Sequence, residues 1–237
     1  MLTVVILAGG LATRIRPITE ELPKSLIPVA GKTFIEHQLA YLHREGVDNV
    51  VICVGYLGEL IEKIVGDGSR FGLKISYSYD GEKLLGTGGA VRNALPLLKS
   101  DFFILYGDSF LPVNFRLIEQ FYLSSKKQGL MTVFKNDNQW DKSNVIFHQG
   151  ELIEYNKNKL DSRMAYIDYG LAILNVSAFN DYPMGDAFDL ANLYNDLSLK
   201  GQLVGFEVHE RFYEIGSFTG IRDAELFFID YYKKELI

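Results

Sequence analysis

Short apolar runs recur along this chain with room for one helix between each pair, and that alternation restricts the fold more than any other feature. Leu2 to Leu7, Asn49 to Val54, Lys74 to Tyr79 and Asp101 to Tyr106 read as strands, the first, second and fourth apolar enough to be buried on both faces. Thr33, with Glu36 three residues on, forms a capping-box pattern that opens a helix from about Phe34 to Glu45, and Gly46 stops it. Glu59 to Val65 reads as a shorter helix, and another opens at Gly86 and runs to about Leu98. Strands alternating with helices predict an α/β layer built on a largely parallel sheet. With 48% hydrophobic residues in 237, the chain can bury a sizeable core as one domain, residues 1–237.

The later part keeps elements but changes texture. Leu117 to Gln128 reads as a helix closed by Gly129, and Leu130 to Phe134 as a strand. Lys135 to Ser143 is polar, after which Asn144 to His148 and Leu152 to Tyr155 flank Gln149-Gly150 like a hairpin. Asp189 to Lys200 is an amphipathic helix, Leu203 to Val208 a strand, and Thr219 onward a closing helix whose Phe227, Phe228 and Tyr231 can dock on the core. No linker separates residues 1–134 from 135–237, so the two halves are expected to share one core.

A net charge of −6 with no long basic run argues against a nucleic-acid partner but allows a local cationic pocket. The single cysteine, Cys53, lies inside an apolar strand and reads as core; His37, His43, His148 and His209 show no metal-ligand spacing. No stretch has the length of a membrane span, and the first apolar run is too short for a signal peptide. A cytoplasmic protein with no membrane partner is the expectation.

The most informative segment is L-A-G-G-L-A-T-R-I-R-P-I-T-E-E-L-P-K, Leu7 to Lys24. Gly9 and Gly10 fall where the first strand ends, and without Cβ atoms they let backbone N–H groups approach a bulky anion. Thr13, Arg14, Arg16 and Lys24 add one hydroxyl and three cations, a set suited to a polyphosphate. The spacing is neither a Walker A loop nor a dinucleotide fingerprint. Further on, Leu85-Gly86-Thr87-Gly88-Gly89 opens a helix where peptide groups can face a flat ligand. Asp108 follows the fourth strand, at the carboxyl end where open α/β sheets collect ligands.

The pattern G-G-x-x-T-R-x-x-P-x-T with P-K, followed in order by G-T-G-G and G-D, resembles the sugar-1-phosphate nucleotidyltransferases. The resemblance implies a Rossmann-like nucleotidyltransferase fold, with a mixed, mostly parallel central sheet flanked by helices and a small β-rich sugar-binding part. Residues 1–134 then form the nucleotide-binding half and 135–237 the sugar-phosphate-binding half. It also implies an enzyme that couples a nucleoside triphosphate to a sugar 1-phosphate with Mg²⁺ and releases pyrophosphate. Carried onto this chain, Leu7, Ala8, Gly9, Gly10 and Thr13 bind nucleotide, and Gly86, Thr87, Gly88 and Gly89 line the base pocket. Arg14 holds the β- and γ-phosphates, Lys24 the α-phosphate region, and Lys157 the sugar phosphate. Asp108 binds Mg²⁺, with Glu214 standing where most relatives have a second metal-binding aspartate. Asn156, Asp168, Tyr169 and Gly170 fall in the sugar-reading segment, where Asn156, Asp168 and Tyr169 depart from the common residues, so the sugar stays open.

A sugar phosphate is already mostly a dianion near pH 7, so the nucleophile needs no general base, in agreement with the lack of a Ser or His constellation. GTP with a mannose- or heptose-type phosphate is favoured. The alternatives are a uridylyltransferase acting on an amino-sugar 1-phosphate, a cytidylyltransferase acting on phosphocholine or a phosphonate, and a non-catalytic nucleotide-sugar sensor.

Overall fold

In the computed structural model, all residues are described except 11–14, 16, 17, 137, 138, 141, 160, 236 and 237. The elements in chain order are β1 (Thr3–Leu7), α1 (Ile18–Glu21), β2 (Pro28–Val29), β3 (Lys32–Thr33), α2 (Phe34–Arg44), β4 (Asn49–Val54), α3 (Gly58–Val65), β5 (Lys74–Tyr79), α4 (Gly86–Ala94), β6 (Asp101–Tyr106) and β7 (Ser109–Phe110). There follow α5 (Phe115–Ser125), β8 (Gly129–Lys135), β9 (Val145–His148), β10 (Glu151–Tyr155), β11 (Tyr166–Asn175), α6 (Leu190–Leu199), β12 (Leu203–Val208), β13 (Tyr213–Glu214) and α7 (Phe218–Glu235).

One mixed sheet organises these pieces. β6, β1, β4 and β5 lie side by side and parallel, and β11 joins β6 antiparallel. β8 pairs with β11 and brings in β12, while the β9–β10 hairpin attaches through Tyr166. The fold is therefore α/β with a mixed, mostly parallel core, as the alternation of strands and helices implied. The central strands β1, β4 and β6 are apolar along most of their length because both faces are covered. Val4 and Ile6 point into one core with α2 and α3, whereas Val5, Val51, Cys53, Phe102 and Ile104 point into another with α4 and α6. Burial pushes the Cys53 thiol well above its ordinary range, so the residue is a core group.

The capping box holds: the Glu36 carboxylate accepts the Thr33 N–H at 2.8 Å. The helix expected over 117–128 begins earlier, at Phe115, because the Asn114 side chain accepts the Leu117 N–H at 3.0 Å. It ends at Ser125, where Lys126 takes φ 55°, and Gly129 opens β8 instead of closing the helix. The hairpin turns on Gln149 and Gly150, both at positive φ. The ten-residue strand β11 was not anticipated. Its register slips between Asp168 and Ala172 opposite Val133 and Met131, a bulge in which Gly170 takes φ 104°.

A third apolar cluster fastens α7 over β7, just past the carboxyl end of β6. Phe228 is fully buried, stacked on His37 at 3.9 Å between ring centroids and set edge-on to Phe110 at 4.8 Å. His37 spends its ring nitrogens on the Val29 carbonyl and the Tyr232 hydroxyl. Phe228→Ala is expected to cost about 3–5 kcal/mol of unfolding free energy, measured by urea denaturation.

Candidate functional site

β1 pairs with β4 on one side and β6 on the other, so the loops that leave β1 and β6 diverge at a topological switch point. A cleft of about 240 Å³ opens there. Leu7, Ala8, Gly9 and Gly10 after β1, Lys24 before β2, Gly86 and Thr87 at the start of α4, and Asp108 after β6 all line it. Thr13, Arg14 and Arg16 lie outside the described residues.

Several contacts hold Asp108 in place. The Gln38 side-chain amide, from α2, donates to the Tyr106 carbonyl at 2.9 Å and to the Ser109 carbonyl at 2.8 Å, clamping the turn from both sides. Gly107 N–H donates to the Leu7 carbonyl, and Ile215 N–H to the Asp108 carbonyl. The carboxylate itself receives Lys24 Nζ at 2.6 Å, in a pair that is partly open to the cleft. A cation and an anion thus meet where polyphosphate charge and a hard divalent cation would need opposite partners. Asp108 offers the oxygen chemistry that suits Mg²⁺, which commonly takes one or two carboxylates and completes its shell with water and substrate phosphates.

Glu214 lies beside this pair, since β13 pairs Glu214 with Ser109. Its carboxylate, however, folds under the first turn of α7, accepting from Gly216 N–H and, at 2.7 Å, from Ser217 Oγ. Gly220 leaves the space: a Cβ there would stand 2.0 Å from Glu214 Oε1. Ser217 caps α7, its Oγ accepting Gly220 N–H at 2.9 Å, and Glu214 braces that cap. A Cβ on Gly216 would stand 2.7 Å from Glu214 Oε2 and 3.0 Å from Lys24 Nζ, so the carboxylate lies next to the Lys24–Asp108 pair.

The G-T-G-G segment divides between two tasks. Gly86 and Thr87 face the cleft, but Gly88 and Gly89 do not line it. A Cβ on Gly88 would stand 2.2 Å from the Phe188 ring, and one on Gly89 2.5 Å from the Asp186 carbonyl oxygen. Gly88 N–H and Gly89 N–H both donate to the Phe188 carbonyl. These two glycines allow close packing between α4 and the segment that leads to α6.

The second-half residues gather next to this joint. Lys157 Nζ contacts Asp189 Oδ2 at 3.0 Å, and Thr87 Oγ1 contacts Asp189 Oδ1 at 3.0 Å. Lys157 lines a separate hollow of about 190 Å³ against α6, together with Asn156 and Asn192. The Asn156 side chain accepts from Asn158 N–H and Lys159 N–H, shaping the loop that carries Lys157. Asp168 accepts Gly170 N–H at 2.9 Å across the bulge. Burial pushes its carboxyl up to about 6, Gly170 and Lys157 pull it down, and Asp189 adds to the rise. Tyr169 points the other way: its ring packs on Phe134 and Phe212 and is 3% exposed, so the side chain belongs to the core and not to a sugar-facing wall.

Asp80, after β5, also lines the cleft and had no place in the sequence expectations. It accepts Leu85 N–H at 3.2 Å, and burial raises its carboxyl. The signal that could have found it is the one that singled out Asp108, an acidic residue at the carboxyl end of a parallel strand.

Among known proteins, the family described as nucleotidyl transferase matches residues 3–144 of this sequence. The chain belongs to that family. D-glycero-α-D-manno-heptose 1-phosphate guanylyltransferase of Campylobacter jejuni is 30% identical over 185 residues, 78% of this chain and 80% of that protein. The enzyme of the same name from Aneurinibacillus thermoaerophilus is 28% identical over 223 residues, covering 93% and 96%. Among solved structures, HddC from Yersinia pseudotuberculosis complexed with GMP-PN superposes with a TM-score of 0.78 at 25% identity, covering 96% of this chain and 100% of that one. The nucleotidyltransferase fold and an enzymatic role are therefore shown; the sensor reading falls away. Among the described residues, no helix is long and apolar enough to cross a membrane.

The raised Asp168 carboxyl gives a pH signature. A carboxyl that binds its proton more tightly when folded makes stability fall as pH rises from about 4 through about 6. Asp168→Asn removes that loss, so the variant's gain in melting temperature over wild type should be larger at pH 7.5 than at pH 4.5, as read by calorimetry.

Proposed function

We propose that this nucleotidyltransferase joins GTP to a mannose- or heptose-type 1-phosphate, giving a nucleoside diphosphate sugar and pyrophosphate. The observation that carries the reading is the Lys24–Asp108 pair, 2.6 Å apart at the switch point and flanked by the Gly9-Gly10 loop. The similarity to heptose 1-phosphate guanylyltransferases supports the choice of substrates.

In this reading a phosphate oxygen of the sugar 1-phosphate attacks the α-phosphorus in line, the bond from that phosphorus to the bridging oxygen breaks, and pyrophosphate leaves with the electron pair. Lys24 neutralises charge at the α-phosphate, Arg14 holds the departing pyrophosphate, and Lys157 orients the attacking phosphate. Asp108 would hold Mg²⁺, and when bound that ion supplies a Lewis acid that draws charge from the phosphoryl oxygens. Glu214, held by Gly216 N–H and Ser217 Oγ beside the Lys24–Asp108 pair, would be the second carboxylate for that ion.

Asp80 supports guanine over the other bases. It sits three strands away from Asp108 across β6, β1, β4 and β5, about 14 Å at ~4.8 Å per strand, a separation suited to a base at one end and phosphates at the other. Guanine alone among the common bases presents a ring N–H beside an exocyclic amino group, two adjacent donors that one carboxylate can accept.

The decisive assay is pyrophosphate release in Mg²⁺ from ATP, GTP, CTP, UTP and dTTP, each against hexose, heptose and amino-sugar 1-phosphates. Release requiring GTP together with a mannose- or heptose-type phosphate is expected; release only with UTP and an amino-sugar phosphate would replace the reading with a uridylyltransferase. Asp108→Asn should lower turnover by about 10²–10³ while the melting temperature holds. ITP, which lacks the exocyclic amino group, should be used at least about tenfold less efficiently than GTP, and Asp80→Asn should erase that preference.

A further inference from the structure

Three separate elements converge on one carboxylate beside the cleft. Thr87 stands in the first turn of α4, Asp189 is the N-cap of α6, and Lys157 lies just beyond β10. Asp189 Oδ1 accepts from Thr87 Oγ1 and from Ala191 N–H, each at 3.0 Å, while Asp189 Oδ2 receives Lys157 Nζ at 3.0 Å. Thr87 Oγ1 in turn accepts Leu190 N–H at 2.9 Å. One oxygen of Asp189 is thus committed to its helix and to the nucleotide-side segment, and the other to the lysine.

The geometry points to Asp189 as a positioning residue that parks the Lys157 ammonium beside the cleft, with Thr87 registering that contact against the nucleotide-binding segment. This rests on the reading of Lys157 as the sugar-phosphate contact. Two features favour a functional role over a stabilising one. The Lys157 and Asp189 side chains are 57% and 46% exposed, and ion pairs so open to water add little to stability. The cap of α6 needs only Oδ1, which leaves Oδ2 free to hold the lysine without taxing the helix.

The chemistry of the arrangement is that of a stand-in anion. Lysine carries a strongly hydrated charge on a flexible four-carbon stem, and unanchored it samples many positions. Asp189 Oδ2 occupies one contact on the ammonium, and the incoming phosphate dianion brings a larger charge to the same cation. The lysine is therefore in place before substrate arrives. Packing of Gly88 and Gly89 on the segment that ends in Asp189 fixes this partner of the lysine relative to the start of α4.

The test uses steady-state kinetics with GTP and the best sugar 1-phosphate from the release assay. Asp189→Asn keeps an acceptor for Thr87 and Ala191 N–H but loses the charge facing Lys157. Its kcat/KM for the sugar phosphate should fall about ten- to hundredfold, through KM for that substrate, with KM for GTP within about twofold. In a Lys157→Ala background the same substitution should change nothing further. Thr87→Val should raise the sugar-phosphate KM in the same direction, and Thr87→Ser should restore it. An Asp189→Asn enzyme whose two KM values rise together has lost general structure, and one whose effect multiplies that of Lys157→Ala acts independently of the lysine; either result overturns the proposal. If Asp189→Asn is inert while Lys157→Ala is damaged, the proposal alone fails. If Lys157→Ala itself leaves the sugar-phosphate KM unchanged, the reading of Lys157 fails and takes the proposal with it.

Discussion

The hydrogen-bonded register between β1 and β6, which sets Leu7 opposite Tyr106, is the constraint on which the rest of the site depends. It brings the ends of two parallel strands together while their chains leave in different directions, so a cleft opens without any element having to be strained apart. Asp108 and, through it, Lys24 are then fastened to this pair. Gln38 grips the turn after β6 by two carbonyls, Gly107 donates back to Leu7, and Lys24 closes on Asp108. Helix α7 reinforces the same turn from outside, through Phe228 against Phe110 and through Glu214 beneath its first turn.

A second dependence runs along α4. Its opening glycines are usually thought of as ligand-facing, yet only the first two positions of G-T-G-G face the cleft, and the next two admit Phe188 and the backbone at Asp186. The same turn therefore joins the nucleotide side to the segment that presents Asp189 and, through it, Lys157. In the proposed reaction, two substrates that repel one another as anions would be met by cations held on one continuous packing surface, which sets their alignment before either arrives.

Much of the fold was legible because buried parallel strands and amphipathic helices impose strong periodic patterns on sequence. β1, β4, β5 and β6 lie where apolar runs placed them, and the Thr33–Glu36 box starts α2 as its spacing implied. β11 was not legible: a bulge at Gly170 breaks its two-residue period, and its early part, Tyr166 to Gly170, falls in the sugar-reading segment without a strand assignment. Tyr169 was misplaced for the same reason, since a bulge reassigns which face each side chain takes. Gly129 looked like a helix stop because a glycine after an amphipathic stretch usually is one, but Asn114 had already moved the helix toward the amino terminus.

The sequence by itself determined the α/β class through its periodicity, and its motifs, through the family they resemble, pointed to Leu7 to Gly10, Lys24, Gly86, Thr87 and Asp108, which line one cleft. Only the tertiary structure decided that Glu214 braces the Ser217 cap of α7, that Gly88 and Gly89 pack against Phe188 and the backbone at Asp186, that Asp80 enters the cleft, and that Asp189 holds Lys157. Most of these are contacts between residues far apart in the chain, and a carboxylate or a glycine reads the same in sequence whether it faces a ligand, a helix end or an aromatic ring.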